Sequence, residues 1–73
     1  MKHTLPRDIT TTELSDLIDL HIIGFKAQRN REIIKAKFIE GLTYEQVAER
    51  FLISVQQAKT ITYKGLSKLI KYM

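Results

Sequence analysis

Gln56, Gln57, Lys59, Thr60, Tyr63 and Lys64 are polar residues that fall on one side of a helical repeat beginning just after Ser54. Side chains of these kinds can read nucleic-acid bases. A Gln amide pairs bidentately with N6 and N7 of adenine in the major groove, and a Thr methyl packs on the thymine methyl. Lys59 can reach guanine O6 and N7 or a phosphate, and both assignments stay open. Gln57 has a competing task, because a Gln three residues after a capping Ser can fold back on the cap backbone. Gln56 is therefore the better base reader of the two. Arg50, Lys64 and Lys68 are candidate phosphate contacts, and Tyr63 and Tyr44 are either further backbone contacts or half-buried packing groups.

Charge follows the same division. Residues 1–24 carry a net −2 and residues 25–73 a net +6, and no acid occurs after Arg50, where Lys59, Lys64, Lys68 and Lys71 follow one another. Lysines set along a helix displace condensed counterions from phosphates, which is the electrostatic requirement of a polyanion partner. A solvated helix face would have the same composition; only the elements around it separate the two readings.

Those elements are legible between residues 42 and 61, LTYEQVAERFLISVQQAKTI. Two amphipathic stretches are joined by a short turn, the pattern of a helix-turn-helix at about 43–64. Val47, Ala48 and Phe51 form the inner face of the first helix, Ile53 is expected as a buried plug in the turn, and Ala58 and Ile61 face inward from the second. Small Ala48 stands where the helices cross and lets their backbones approach. Thr43 with Gln46 and Ser54 with Gln57 are possible capping boxes. The reading helix is expected to run from about 55 to 71, with Ala58, Ile61, Gly65, Leu66, Leu69 and Ile70 buried and Gly65 packed closely on the first helix of the chain. The amides opening the helix before it, with Thr43 and Tyr44, are placed to meet a phosphate.

The remainder predicts two more helices and no strand. Thr10 with Glu13 suggests another capping box, opening a helix with Leu14, Leu17, Ile18, His21 and Ile22 inward and Gly24 as its stop. A second helix is expected from Ala27 to Glu40, with Ile33, Ile34, Phe38 and Ile39 inward and Arg29, Arg31, Lys35 and Lys37 mostly outward; Gly41 ends it in a left-handed conformation and Leu42 packs back. Residues 1–9, holding Pro6, read as a flexible N-terminal arm, and residues 10–73 as a single all-α domain of four to five helices. Leu52 stands in the turn where a glycine is common, which predicts backbone strain there.

Other chemistry is poorly provided for. A chain of 73 residues buries about 60% of its unfolded surface, too little for a deep catalytic cleft. There is no cysteine, and His3 and His21 have no ligand or nucleophile at helical spacing, so neither a metal site, a cofactor nor an enzyme is expected. No segment approaches the roughly 20 apolar residues of a membrane span. The N-terminus MKHTLPRDITTTE lacks a signal-peptide core, which with the missing cysteines fits a cytoplasmic protein.

Arg29 to Leu69, RNREIIKAKFIEGLTYEQVAERFLISVQQAKTITYKGLSKL, resembles the fourth conserved region of bacterial sigma factors. The likeness is carried by Arg31-Glu32-Ile33-Ile34, by Glu40-Gly41-Leu42-Thr43-Tyr44-Glu45, by Val47-Ala48 and by the Ile53-Ser54 turn, and it looks closest to small stand-alone proteins of Gram-positive bacteria and their phages. The resemblance implies a four-helix domain that binds promoter DNA at the −35 element with its last helix and docks on the flap of RNA polymerase. The family's base-reading positions fall on Val55, Gln56, Lys59 and Thr60. Where sigma factors often carry Arg-Glu-Arg, this chain has Val55-Gln56-Gln57, a departure from standard −35 readers, and 73 residues leave no room for the region that melts promoters. The implied function is a sequence-specific transcriptional regulator on double-stranded DNA. A module this small offers few contacts, so tight binding calls for RNA polymerase or a second copy, as a homodimer, beside it. The alternative is a protein-interaction module that binds polymerase, a sigma factor or a repressor through Val55, Tyr63, Tyr72 and Met73 without reading DNA.

Overall fold

The computed structural model describes residues 9–72. Its helices are α1 (Thr11–His21), α2 (Ala27–Phe38), α3 (Tyr44–Phe51) and α4 (Val55–Ile70), and no strand occurs among the described residues. The all-α expectation holds. Of the expected N-terminal arm, Ile9 packs against the core, and residues 1–8 lie outside the described residues.

Local chemistry explains where each helix starts. Thr43 accepts from the Gln46 amide at 3.1 Å while Gln46 accepts from the Thr43 amide at 2.9 Å, and Ser54 and Gln57 repeat the exchange at 3.0 Å in each direction. Each box satisfies two amides that no carbonyl of the helix can reach. At α1 only half a box forms. Thr10 accepts from the Glu13 amide, but its hydroxyl donates to the Glu13 carboxylate, which is thereby turned away from the Thr10 amide. The start of α2 falls at Ala27 as expected, but without a capping side chain: Lys26, at φ 60°, is its cap and makes no side-chain bond.

The helix ends are settled by the fold as much as by glycine. Gly41 is left-handed (φ 77°), and the Leu42 amide reaches back to the Ala36 carbonyl, which lets Leu42 pack inward as expected. The helix ends at Phe38, two residues before the expected end, with the Ile39 and Glu40 amides both closing on the Lys35 carbonyl. Gly24 does not stop α1. That helix finishes at His21, because Ile22 turns extended to enter the core, and Gly24 (φ 105°) serves the connection to α2. Arg31, expected to face outward, instead donates from Nε to the Ile22 carbonyl at 2.7 Å and closes the end of α1.

Two hydrophobic clusters share α4. The first joins Leu14, Ile18 and Ile22 to Ile34 and Leu69; the second, beneath α3, joins Ile33, Ala36, Val47 and Ala58. Half-buried Ile61 touches both. Ile53 also touches the second cluster but is half-buried, not the enclosed plug expected, because the turn that carries it lies at the surface. Ile70 is 49% exposed, a correction to the expected stripe. The buried positions of α4 are Ala58, Thr62, Gly65, Leu66 and Leu69, and one more residue rotates about 100° away from that face. Gly65 does pack closely, but on α2: a Cβ there would overlap Ile34 Cδ1 and stand 3.7 Å from Ile22 Cδ1 just beyond α1. Ion pairs join the surfaces, Lys35 to Asp19 at 2.8 Å and Arg50 to Glu40 at 2.9 Å.

Candidate nucleic-acid interface

The helix-turn-helix is α3, the turn at Leu52-Ile53-Ser54, and the first half of α4. Val47 and Ala48 on α3 and Ala58 on α4 are buried, and these small side chains bring the two helices together. Leu52 takes φ 56° and ψ 45°, the left-handed conformation its position predicts, with its side chain 91% exposed. A β-carbon is unfavourable there by about 1–2 kcal/mol. The turn accepts this because the Leu52 and Ile53 amides both return to the Ala48 carbonyl.

With the turn fixed, the sequence-derived residues divide into groups. Gln56 and Gln57 are exposed, and Val55, Lys59 and Thr60 half-buried, on the first turns of α4. The Gln57 carbonyl oxygen is committed to the Ser54 amide, leaving its NH2 outward. Gln56 donates to the Thr60 hydroxyl at 3.5 Å, which sets the two side chains together as a pair. Lys64 and Lys68 are exposed farther along α4 and form no ion pair among the described residues. Arg50 is exposed too, but its Nη1 donates to both Glu40 oxygens, at 2.9 and 3.0 Å, so a phosphate there competes with Glu40 for the guanidinium.

The structure also assembles a group that spacing alone did not reveal. Tyr44, half-buried at the start of α3, packs on the second cluster and meets Tyr63 edge-on, with ring centroids 6.1 Å apart. Two ammonium groups stand over its ring, Lys37 at 4.4 Å and Lys59 at 5.8 Å. Lys37 also donates to the Leu42 carbonyl. The hydrogen bond between Tyr63 and Tyr44 holds the Tyr63 phenol above its ordinary value, and Coulombic interaction with Tyr44 adds to this, against the opposing pull of Lys59 and Lys37. Tyr63 therefore stays a neutral hydroxyl near pH 7. Thr43, exposed, caps α3 beside this group. Tyr44 thus packs on the second cluster while positive charge stands over its ring. Lys37 had no sequence signal, because the Gly41-Leu42 reversal is what carries α2 back past α3.

Thr62 is the other residue missed. It is completely buried on α4, and its hydroxyl donates to the Ala58 and Lys59 carbonyls at 2.9 and 3.0 Å, so the polar group is satisfied within its own helix. His21, expected at the core edge, is half-buried and stacks on Tyr72 at 3.6 Å. Among the described residues no group of three or more His, Cys, Asp or Glu converges as metal ligands would, and no helix is long and apolar enough to cross a membrane.

Two capped helices at a tight turn, with a polar and acid-free face on the second, define a helix-turn-helix domain of the DNA-binding kind. The family model described as Sigma-70, region 4 matches residues 27–71, and the chain belongs to that family. The matched span covers α2, α3 and α4 and leaves α1 outside. Comparison with curated proteins and with solved structures gave no match.

Proposed function

We propose that this chain is a cytoplasmic, sequence-specific transcriptional regulator that lays the first half of α4 in the major groove of double-stranded DNA. The observation that carries the reading is the face of α4 itself: Gln56, Thr60 and Lys59 sit together on a capped helix start inside a helix-turn-helix of the sigma region 4 family. In this reading Gln56 and Thr60 take an A·T pair, Gln56 through adenine N6 and N7 and Thr60 through the thymine methyl. Val55 adds an apolar contact, and the outward NH2 of Gln57 donates to a base or an adjacent phosphate. Lys59, drawn towards Tyr44, serves the backbone strand beside Lys37, and the amides that open α3 with Thr43, Tyr44 and Tyr63 meet the same phosphates. Lys64 and Lys68 continue the track along α4, and Arg50 joins it if Glu40 releases it.

Region 4 of sigma factors binds DNA and core RNA polymerase, and polymerase is a proposed companion here. The second reading, a docking module that does not read DNA, is expected to use Val55, Tyr63, Tyr72 and Met73. Tyr63 and Tyr72 are exposed, Val55 is half-buried and Met73 lies outside the described residues, and exposed Leu20, Ile23 and Phe25 add apolar surface. Selection of bound duplexes from a random library, with and without core polymerase, separates the two. A regulator enriches a defined sequence in at least one arm. Log affinity against log salt should then lose a slope of about 1 for each of Lys59, Lys64 and Lys68 removed, whereas Gln56→Ala should change preference at one base pair by about 1–3 kcal/mol with the slope unchanged. No enrichment in either arm, or lysine and glutamine variants that behave alike, would leave the docking module as the better reading.

A further inference from the structure

At the end of the molecule far from the reading residues, the C-terminal ends of α1 and α4 enclose a groove of ≈ 180 Å³ lined by Leu20, His21, Ile23, Lys68, Lys71 and Tyr72. Its apolar residues are open to solvent: Leu20 is 68%, Ile23 67% and Tyr72 56% exposed. The stack of Tyr72 on His21 fixes one wall. Phe25, two residues beyond Ile23, is 90% exposed. A chain of this size does not leave so many large apolar side chains together in water without a partner.

We infer that this face is the interface between two copies of the chain, related by a two-fold axis near Leu20. The complement it needs is already present on α1. Glu13, Asp16 and Leu20 recur at i, i+3 and i+7 on the exposed side of the helix, and exposed Ile23, just past the helix end, lines the same groove as Leu20. One copy's α1 thus carries an acidic first half running into an apolar end, and the groove offers an apolar floor edged by Lys68 and Lys71 with no acid in its lining. When two such α1 helices pack antiparallel, Leu20 and Ile23 meet across the axis, and the acidic stripe of each copy, Asp16 foremost, reaches Lys71 of the other, as a self-complementary two-fold contact requires, while Lys68 at the groove's edge stays with the phosphate track. A basic groove alone would repel a second copy; the acidic stripe beside it removes that objection. α1, which supplies the acidic and apolar half of this surface, lies outside the span matched by the family model, and Lys68 and Lys71 lie within it.

The arrangement has a geometric consequence that rests on the DNA-binding reading. From Gln57 to Ile70 α4 rises roughly 20 Å, so two copies joined at their Lys71 ends place the two reading turns up to roughly 40 Å apart. That reach covers the spacing of successive major grooves on one side of the duplex, about 34–36 Å. Each copy would then read one half of a palindromic site.

Sedimentation equilibrium of the full chain without DNA tests the interface independently of DNA binding. We expect a monomer–dimer equilibrium with a dissociation constant of about 1–100 µM. Leu20→Glu should give a monomer with unchanged helical content and melting, since Leu20 lies at the surface. Asp16→Lys and Lys71→Glu should each weaken the dimer by about tenfold, and the double variant should recover most of the loss. A monomer throughout that range, a dimer indifferent to Leu20→Glu, or charge changes that fail to compensate would each overturn the proposal. So would a monomer that takes up an acidic amphipathic peptide through Leu20, which gives the face to a foreign partner. Dimerisation with a defined but non-palindromic site selected would overturn the half-site geometry alone, and dimerisation with no sequence selected would count against the DNA-binding reading and leave the interface standing.

Discussion

The two hydrophobic clusters meet along α4 and are built from different residues. The one joining α1, α2 and α4 is filled by Leu14, Ile18, Ile22, Ile34 and Leu69, whereas the one beneath α3 uses Ile33, Val47 and two alanines, Ala36 and Ala58. Long branched side chains remove much apolar area from water and supply the larger share of the stability. Small ones remove little, but they set how closely helix backbones approach. The first cluster holds the molecule together; the second fixes the angle and spacing of the helix-turn-helix. The fold therefore separates the source of its stability from the geometry of its reading face.

The largest expected effect comes from opening the first cluster. Leu69→Ala removes a fully buried side chain, and about 2–5 kcal/mol should be lost. A domain of this size has little to spare, so the chain should be largely unfolded at 37 °C by circular dichroism. The second cluster should fail in the opposite sense. Ala48, buried beside that cluster on α3, is where added volume tells: Ala48→Leu should cost about 1–3 kcal/mol of overpacking, seen as a lower melting temperature. If instead the leucine were accommodated without loss, the alanines would not be setting the helix spacing and the contrast between the clusters would collapse.

What could be read in advance was local in the chain. The boxes at Thr43–Gln46 and Ser54–Gln57, the reversal at Gly41 and the inward stripe of α1 each depend on residues within one or two turns of each other. What could not be read depends on how helices dock. Arg31 reaches the Ile22 carbonyl because α2 crosses the end of α1. Lys37 stands over Tyr44 because α2 doubles back past α3. Gly65 faces Ile34 first and Ile22, just beyond α1, second, because α2 packs on α4 at that level. Among the site residues, the polar row on α4 and the strained Leu52 followed from spacing. The engagement of Arg50 with Glu40 and the aromatic pair of Tyr44 and Tyr63 did not.

Smaller changes sharpen the comparison at the reading end. Ser54→Ala deletes the acceptor for the Gln57 amide and should cost about 1 kcal/mol, read as a shift in the denaturant midpoint. Thr10→Ala, at the half-formed box of α1, should cost less. The smallest effect, and the only gain, is expected at the turn. Leu52→Gly relieves a left-handed β-carbon and loses almost no packing, since the side chain is 91% exposed. After the entropy of the added glycine is set against this, about 0.5–1 kcal/mol of stabilisation should remain. A lower melting temperature would mean that Leu52 makes contacts beyond the turn.

Because α4 supplies Leu69 to one cluster and Ala58 to the other, its reading turns cannot come loose while the remainder stays folded. Opening this helix is opening the whole domain. Any ligand held on its first turns therefore raises the global unfolding free energy, by RT ln(1 + [L]/Kd). In hydrogen exchange, amides of Ile18 and Ile34, which lie away from that face, should slow together with those of α4 when a duplex is bound.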